Sequence, residues 1–422
     1  MEIKQLIEKE IKGCFDYFWY ETNSNQDSKG YGLALDSSRN SNMASIAAVG
    51  FALSAYVIGV NHQYITFEQG YERTLKTLQT VTNHVDHKNG FYIHFLNIET
   101  AENYGLSKGR PSEYSTIDTA ILLMGALSAS EFFKGEVKEI VDQMLESTDW
   151  DWLIHPDKPV FRMSYHMISE RFPTGWSNSK WDHYAEQLMM YFLYAGQKKT
   201  SAENARKLYF GFDRHVGAYK GQNYVYCFGN ALFIHQFSHA FIDFKTYVDA
   251  KMFNWFENSV AATKANKAWC LDQSWSKTLS QGYWGLTAMH NKKGYLVVGG
   301  PPWGFTNVDY RPNVDGTVAP YAALSSIIFT KEDSLDIFKK FAEDKNMWGK
   351  YGLYDAFNFE DEPWYSNTYI GIDKGPTIIM LDNYLNQTIQ NLVTNSEFIQ
   401  EAFKKLGFTR FDDFKYTRME GK

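Results

Sequence analysis

Cysteine is scarce: Cys14, Cys227 and Cys270 are the only three in 422 residues, widely spaced and odd in number. They supply neither a disulfide framework nor a thiolate metal site. Basic blocks are missing too, and the net charge is −7, which excludes a nucleic-acid surface. The N-terminal stretch MEIKQLIEKEIKGCFDYFWYE has acids throughout and lacks the apolar centre of a signal peptide, which points to a cytoplasmic chain. Gly299-Gly300 has no strand–glycine–helix setting and no Lys-Ser/Thr behind it, so it is no phosphate cradle. No elbow motif surrounds a serine or cysteine nucleophile. His235 and His239 stand four apart, yet no Glu follows His235 and no third ligand is near. They read as hydrogen-bonded core or cleft histidines, and neither a metal nor another cofactor is expected.

What the chain does have is long stretches without charge. Six stand out: Met43–Val60, Thr119–Ser130, Gln187–Gln197, Phe228–Phe241, Val318–Thr330 and Gly375–Leu381. A helix apolar on every face is buried on every side. Met43–Val60 has the length to cross a membrane, but its Ser, Gly and Tyr content and its place in a repeated pattern make it a core helix, with no membrane partner. Between these runs lie charged amphipathic segments such as Phe67–Val85, Lys134–Glu146, Tyr247–Lys264 and Ser334–Lys345. Six buried helices alternating with amphipathic ones describe a double ring, an all-α (α/α)6 toroid. No composition break divides residues 1–422, which read as one domain with a peripheral tail at 386–422. The sequence gives no sign of an assembly beyond a monomer or weak homo-oligomer.

Acids gather where the buried runs begin. Ser115 and Asp118 have capping-box spacing, so a helix should start near Ser115, with Glu113 just before it. Asp182 and Glu186 are four apart and would share one face of a first helical turn. Asp373 is placed as an N-cap, and Asp355 lies in the aromatic loop WGKYGLYDAFN. Aromatic residues make up 17 % of the chain, enough both to pack a core and to line a cleft with rings that stack on sugars. Trp176, Trp181, Trp284 and Trp303 are the candidates for such a wall, in loops 156–181 and 281–316. The 281–316 stretch, rich in glycine and proline, is expected to form a small hairpin and mouth loops, and 210–228 a Gly/Tyr-rich loop.

Two carboxyls in an aromatic cleft suit glycosidic cleavage, one protonated to assist the leaving oxygen and the other ionised to activate water or attack. Glu186 opens an apolar run that would keep it protonated, the acid's role; Asp355 lies in a polar loop that suits the base. Glu113, Asp118, Asp182, Asp373 and His239, with the four tryptophans, are candidate substrate contacts. Asp118, Asp182 and Asp373 serve equally as helix caps.

In order along the chain stand SIAAVGFALSAYVIGV, SEYSTIDTAILLMGAL, FIHQFSHAFIDFK, NSVAAT, WGLTA, DGTVAPYAAL, WGKYGLYDAFN and YIGIDKGPTIIMLDNYL. Together they resemble the glycoamylase-like domain, which includes glycoside hydrolase family 144, the bacterial endo-β-1,2-glucanases, and a related domain of cyclic β-1,2-glucan synthases. The resemblance runs from about residue 15 to 386. It implies the (α/α)6 toroid and endo-acting, inverting hydrolysis of β-1,2-glucan or sophorooligosaccharides, with Glu186 as acid, Asp355 as base, and Glu113 and Asp118 on the cleft floor. A transglycosylase on the same glucan and a non-catalytic carbohydrate-binding relic of the fold are the alternative readings. Three positions depart from the family pattern: His290 in place of an Asp after WGLTA, Lys374 in place of Gln, and AGQKKT from Ala195 after the Glu186 helix.

Overall fold

A computed structural model describes residues 2–184, 186–227, 229–302 and 314–411. Its helices run α1 (Ile3–Tyr20), α2 (Ile46–Asn61), α3 (Phe67–His84), α4 (Thr116–Phe133), α5 (Gly135–Ser147), α6 (Leu188–Gly196), α7 (Ala202–Tyr209), α8 (Phe237–Phe241), α9 (Trp255–Leu271), α10 (Lys277–Ser280), α11 (Pro320–Leu324), α12 (Lys331–Glu343), α13 (Gly371–Leu385), α14 (Thr388–Thr394) and α15 (Glu397–Leu406). Helices α2, α4, α6, α8, α11 and α13 are the inner ring, and α1, α3, α5, α7, α9 and α12 alternate with them outside. This is the (α/α)6 toroid. Strands occur among the described residues only as two-stranded antiparallel pairs.

The inner helices are buried round their whole circumference. In α2 every residue from Ile46 to Gly59 is buried, and α4 is exposed at no position from Asp118 to Ser130. α4 is long and apolar enough to cross a membrane, but 83 % of it is buried within the ring, as a core helix requires. Ser45 caps α2 by accepting from Ala48 N–H at 3.3 Å, and Ser115 caps α4 by accepting from Asp118 N–H at 3.4 Å. The predicted start at Ser115 is therefore correct.

Small residues set how tightly the ring closes. A Cβ on Gly125 would lie 1.9 Å from the Gly50 carbonyl oxygen, and one on Gly50 would lie 2.5 Å from that of Ile121. The two backbones touch there, and the Ser54 and Ser128 hydroxyls bond at 2.9 Å across the same seam. Any larger side chain would have to push α2 and α4 apart.

Several expectations about local structure need correction. Residues 230–243 do not form one helix; a 3-10 turn, Leu232–His235, leads into the short α8. The 210–228 stretch is mostly a hairpin, His215–Tyr219 against Gln222–Tyr226. The predicted hairpin in 281–316 is present, Ala288–Asn291 paired with Gly294–Val297. The described part of the stretch after 386 is not peripheral: Ile389, Val393, Ile399 and Leu406 are fully buried. α14 lies across the C-terminal ends of the inner helices. Thr388 accepts from Asn61 Nδ2 at 3.0 Å, and Gln390 Nε2 donates to the His239 carbonyl at 2.7 Å.

Replacing Gly125 by Ala should destabilise the protein by about 1–3 kcal/mol or more, the cost of overpacking a tight interior. Equilibrium or scanning denaturation measures it, and an unchanged midpoint would contradict the α2–α4 contact.

Candidate active site

The N-terminal ends of the inner helices meet at the other end of the ring, around a cavity of about 500 Å³. That size falls in the ~300–1,000 Å³ range of small-molecule sites. Asp118 and Ile121 come from the first turns of α4, Tyr321 from α11 and Ile372 from α13; Glu186 comes from the segment leading into α6. His290 and Tyr295 arrive on the 288–297 hairpin, and Asp36 and Arg39 on the loop before α2.

Extended arms stitch these pieces together. Gly371 N–H donates to the Asp36 carbonyl at 2.7 Å, and Ser38 N–H to that of Tyr369 at 2.9 Å. Residues Met43–Ser45 pair with Phe95–Asn97, which brings His94 beside Asp118. His94 N–H also bonds the Glu113 carbonyl at 2.8 Å.

The His94 imidazole joins two of the predicted acids. Its Nδ1 is 2.9 Å from Glu113 Oε1 and its Nε2 is 3.5 Å from Asp118 Oδ1. Burial works against its charge, but Asp118, the hydrogen bond donated to Glu113, and Asp36 prevail and lift its pKa to about 9. Burial also opposes ionisation of Glu113, and the His94 contact overcomes it, taking Glu113 down to about 2. Asp118 Oδ2 takes a 2.5 Å hydrogen bond from Ser115, so its carboxylate binds that side chain and not the Ser115 backbone N–H of a reciprocal capping box.

Glu186 behaves in the opposite way. Burial first, then the charge of Asp118, push its carboxyl up to about 8. The expected first helical turn holding Asp182 and Glu186 is absent, since α6 begins only at Leu188. The irregular lead-in is held from outside: Trp181 Nε1–H donates to Thr116 Oγ1 at 2.9 Å, and Ser238 Oγ donates to the Glu186 carbonyl at 2.7 Å. Asp182 lies off the cavity, its carbonyl bonded by Asp213 N–H at 2.7 Å.

Asp355 is enclosed, not solvated as its loop suggested. Its side chain has no exposed surface, and Oδ2 accepts from both His290 N–H at 3.0 Å and His290 Nδ1 at 2.9 Å. Behind it sits Asp373, whose carboxyl oxygens have no protein donor. Asp373 is not an N-cap: Ile370 holds that position, and Asp373 is buried in the first turn of α13. Burial, then the neighbouring Asp355 carboxyl, raise the Asp373 pKa well above the usual aspartate range, so Asp373 keeps its proton. Asp36 is also raised, by burial foremost.

Trp176, Trp181 and Trp284 do not form the wall. Trp284 is fully buried in the core, Trp181 anchors α4, and Trp176 packs on Trp152 and Tyr165 with the Arg162 guanidinium 4.5 Å from its ring. Trp303 lies outside the described residues. The rings on the cavity are Phe95, Phe233, Phe237, Tyr295 and Tyr321. His239 is also core, bonded to Ser259 Oγ at 3.0 Å and pushed to about 3 by burial and then His235. Of the predicted site residues, Asp118 and Glu186 line the cavity, Glu113 braces it through His94, and Asp355 and Asp373 stand behind its wall. His94, Tyr295 and the place of Asp36 on the cavity escaped the sequence reading. For His94 the available signal was its place in GFYIHFL, an extended arm running toward Glu113.

Among the described residues, one group of donors could hold a metal: His183, Asp213 and His215 lie within 4.8 Å of one another. None of the three lines the cavity, and Lys158 pairs with Asp213 at 2.9 Å.

The opposite shifts of His94 and Glu113 set a pH window. A raised histidine contributes stability in full below 6.5 and loses it as pH climbs through about 9. A lowered glutamate contributes in full above 4.5 and loses it as pH falls toward about 2. The pair should therefore stabilise most between pH 4.5 and 6.5. Glu113→Gln should flatten the acid side of the stability–pH curve and bring the His94 resonance titration down toward 6.5, both measurable by NMR and melting.

Comparison with known proteins agrees with this fold. The Glycoamylase family model matches residues 178–397, just over half of the chain. A crystal structure from Bacteroides uniformis is 26 % identical over 97 % of this chain and 98 % of that one, with a TM-score of 0.84. An endo-β-1,2-glucanase from Chitinophaga pinensis, solved with sophorotriose and glucose, is 24 % identical over 97 % and 99 %, with a TM-score of 0.83. An exo β-1,2-glucooligosaccharide sophorohydrolase of Parabacteroides distasonis is 23 % identical over 96 % of this chain, which spans 58 % of that protein's length. A double ring of this topology, with its acids at the N-terminal ends of the inner helices and the family's sequence pattern across 178–397, makes the chain a member of the glycoamylase family.

Proposed function

We propose that this protein is a glycosidase that hydrolyses β-1,2-linked glucan or sophorooligosaccharides with inversion. The observation that carries the reading is the split between carboxyls around one cavity. Glu186 is protonated up to about pH 8 and Glu113 is ionised above about 2. Environments that drive carboxyl pKa values apart are how a site assigns acid and base roles. Glu186 takes the role of general acid, giving its proton to the glycosidic oxygen. The base function lies on the Asp355 side, where His290 separates that carboxyl from the cavity. Glu113, Asp118 and His94 form a charged floor able to bond sugar hydroxyls, and the Phe and Tyr rings offer flat apolar faces. The names of the relatives support the linkage: one is an exo-acting sophorohydrolase, another an endo-β-1,2-glucanase.

Incubation with a panel of β-1,2-, β-1,3- and β-1,4-glucans, read by chromatography and by NMR of the anomeric protons, tests this. The expected result is cleavage of the β-1,2-linked substrate with α-configured products. Sophorose alone would mark exo action, a ladder of sizes endo action, and elongated products transfer. Glu186→Gln should lower kcat by roughly 10²–10⁴, the worth of general acid assistance. The wild-type rate should fall as pH rises past about 8, where Glu186 loses its proton. Near-normal turnover in Glu186→Gln would remove it from the mechanism.

A further inference from the structure

Asp355 cannot reach a water in the cavity. Its side chain is wholly buried, and Oδ2 is taken up by two N–H donors of the same residue, His290. Oδ1 is buried as well, and Asp355 shares a void of about 10 Å³ with Asp373, Tyr321 and Lys374. His290 is the member of the pair that meets the cavity, with 12 % of its side chain exposed. Because Nδ1 points at a carboxylate, it carries the hydrogen and donates it. Nε2, on the far edge of the ring, is then the nitrogen with a free lone pair, and it has no protein partner among the described residues. A carboxylate that fixes the tautomer and orientation of an imidazole is the arrangement that prepares a histidine to accept a proton.

We propose that His290 Nε2 takes the proton from the attacking water, with Asp355 as the positioning residue behind it. This rests on the hydrolase reading above. In the step, water oxygen bonds the anomeric carbon as the bond to the leaving oxygen breaks. Glu186 gives its proton to that oxygen, and the water proton goes to Nε2. The turn ends with a Glu186 carboxylate and a His290 imidazolium, and exchange with solvent restores both.

Tyr295, paired with His290 across the hairpin, lies with its ring centre 5.2 Å away. Its residue as a whole is 47 % exposed, yet its phenol is raised well above 10 by enclosure of the hydroxyl end and then by Asp373, Asp355, Asp36 and Glu186. Asp355 behind the ring and Asp36, facing it from the loop before α2, stabilise a positive ring once the proton arrives. Asp373, which keeps its own proton, adds no second negative charge at the back. Asp36 is the rival base, since it too lines the cavity.

Kinetics of the full chain on linear β-1,2-glucan decide between them. His290→Gln should lower kcat by roughly 10²–10⁴ with little change in KM, and abolish the acid limb of the pH–rate profile. His290→Asp should recover part of the rate, with that limb moved to lower pH. Asp355→Asn should lower kcat and also remove a downfield Nδ1–H resonance in the proton NMR spectrum, which reports the pair without any turnover. The proposal is overturned if folded His290→Gln keeps the wild-type acid limb, if only KM changes, or if Asp36→Asn alone removes the limb. Absence of the downfield resonance from the wild type would also overturn it. A wild type inactive on every glucan would instead bring down the hydrolase reading, and this assignment with it.

Discussion

The ring closes on a buried ion pair. Lys374 Nζ, on the last inner helix, is 2.9 Å from Glu10 Oε1 on the first outer helix, and the side chains are 5 % and 1 % exposed. Removing one partner of such a pair costs about 3–5 kcal/mol, because the other charge is left without water or a counter-ion. Here the pair also grips the chain between them. Glu10 Oε2 accepts from Leu353 N–H at 2.9 Å, and Lys374 donates to the Leu353 carbonyl at 2.6 Å. Leu353 is two residues from Asp355, so one charge pair fixes both the closure of the toroid and the loop that backs the site. The departure at Lys374 from the family's glutamine is thereby matched by an acid placed to receive it.

The same cavity drives neighbouring acids in opposite directions, and distance from a counter-charge decides which way. Glu113 has an imidazolium at hydrogen-bond distance, and its contact outweighs burial. Glu186 has no cation among its influences; it has apolar surroundings and the charge of Asp118, and both oppose ionisation. The inner helices add a constant background, since their N-terminal ends carry partial positive charge toward the cavity. That background favours anions near the floor without rescuing a carboxyl that has lost its water.

Much of the architecture was legible because burial on every side leaves a simple trace, a helix-length run without charge. The α2 and α4 runs, their small residues and the Ser115 cap were read directly. The broken helix at 232–241 was not, because an apolar run does not say whether its backbone holds α-helical hydrogen bonds throughout. Roles in the site were harder. Trp284 and Trp181 carry the same composition signal as a sugar-stacking ring, and only three-dimensional placement separates core from wall. His94 acts through partners 19 and 24 positions away, a pairing made by an extended arm that leaves almost no local pattern. Asp355 looked solvated because its loop carries glycines and Lys350, whereas His290 and Asp373, from other segments of the chain, are what enclose it.

The placement of α14 has a consequence for traffic. It lies over the C-terminal ends of the inner helices, with Ile389 and Val393 fully buried and Gln390 bonded to the turn at His239. Among the described residues, α14 therefore covers the ring at the end away from the acids. On the hydrolase reading proposed above, a sugar chain would enter, and its fragments would leave, at the end where the acids stand. Shedding one fragment and loading the next would then compete for a single doorway.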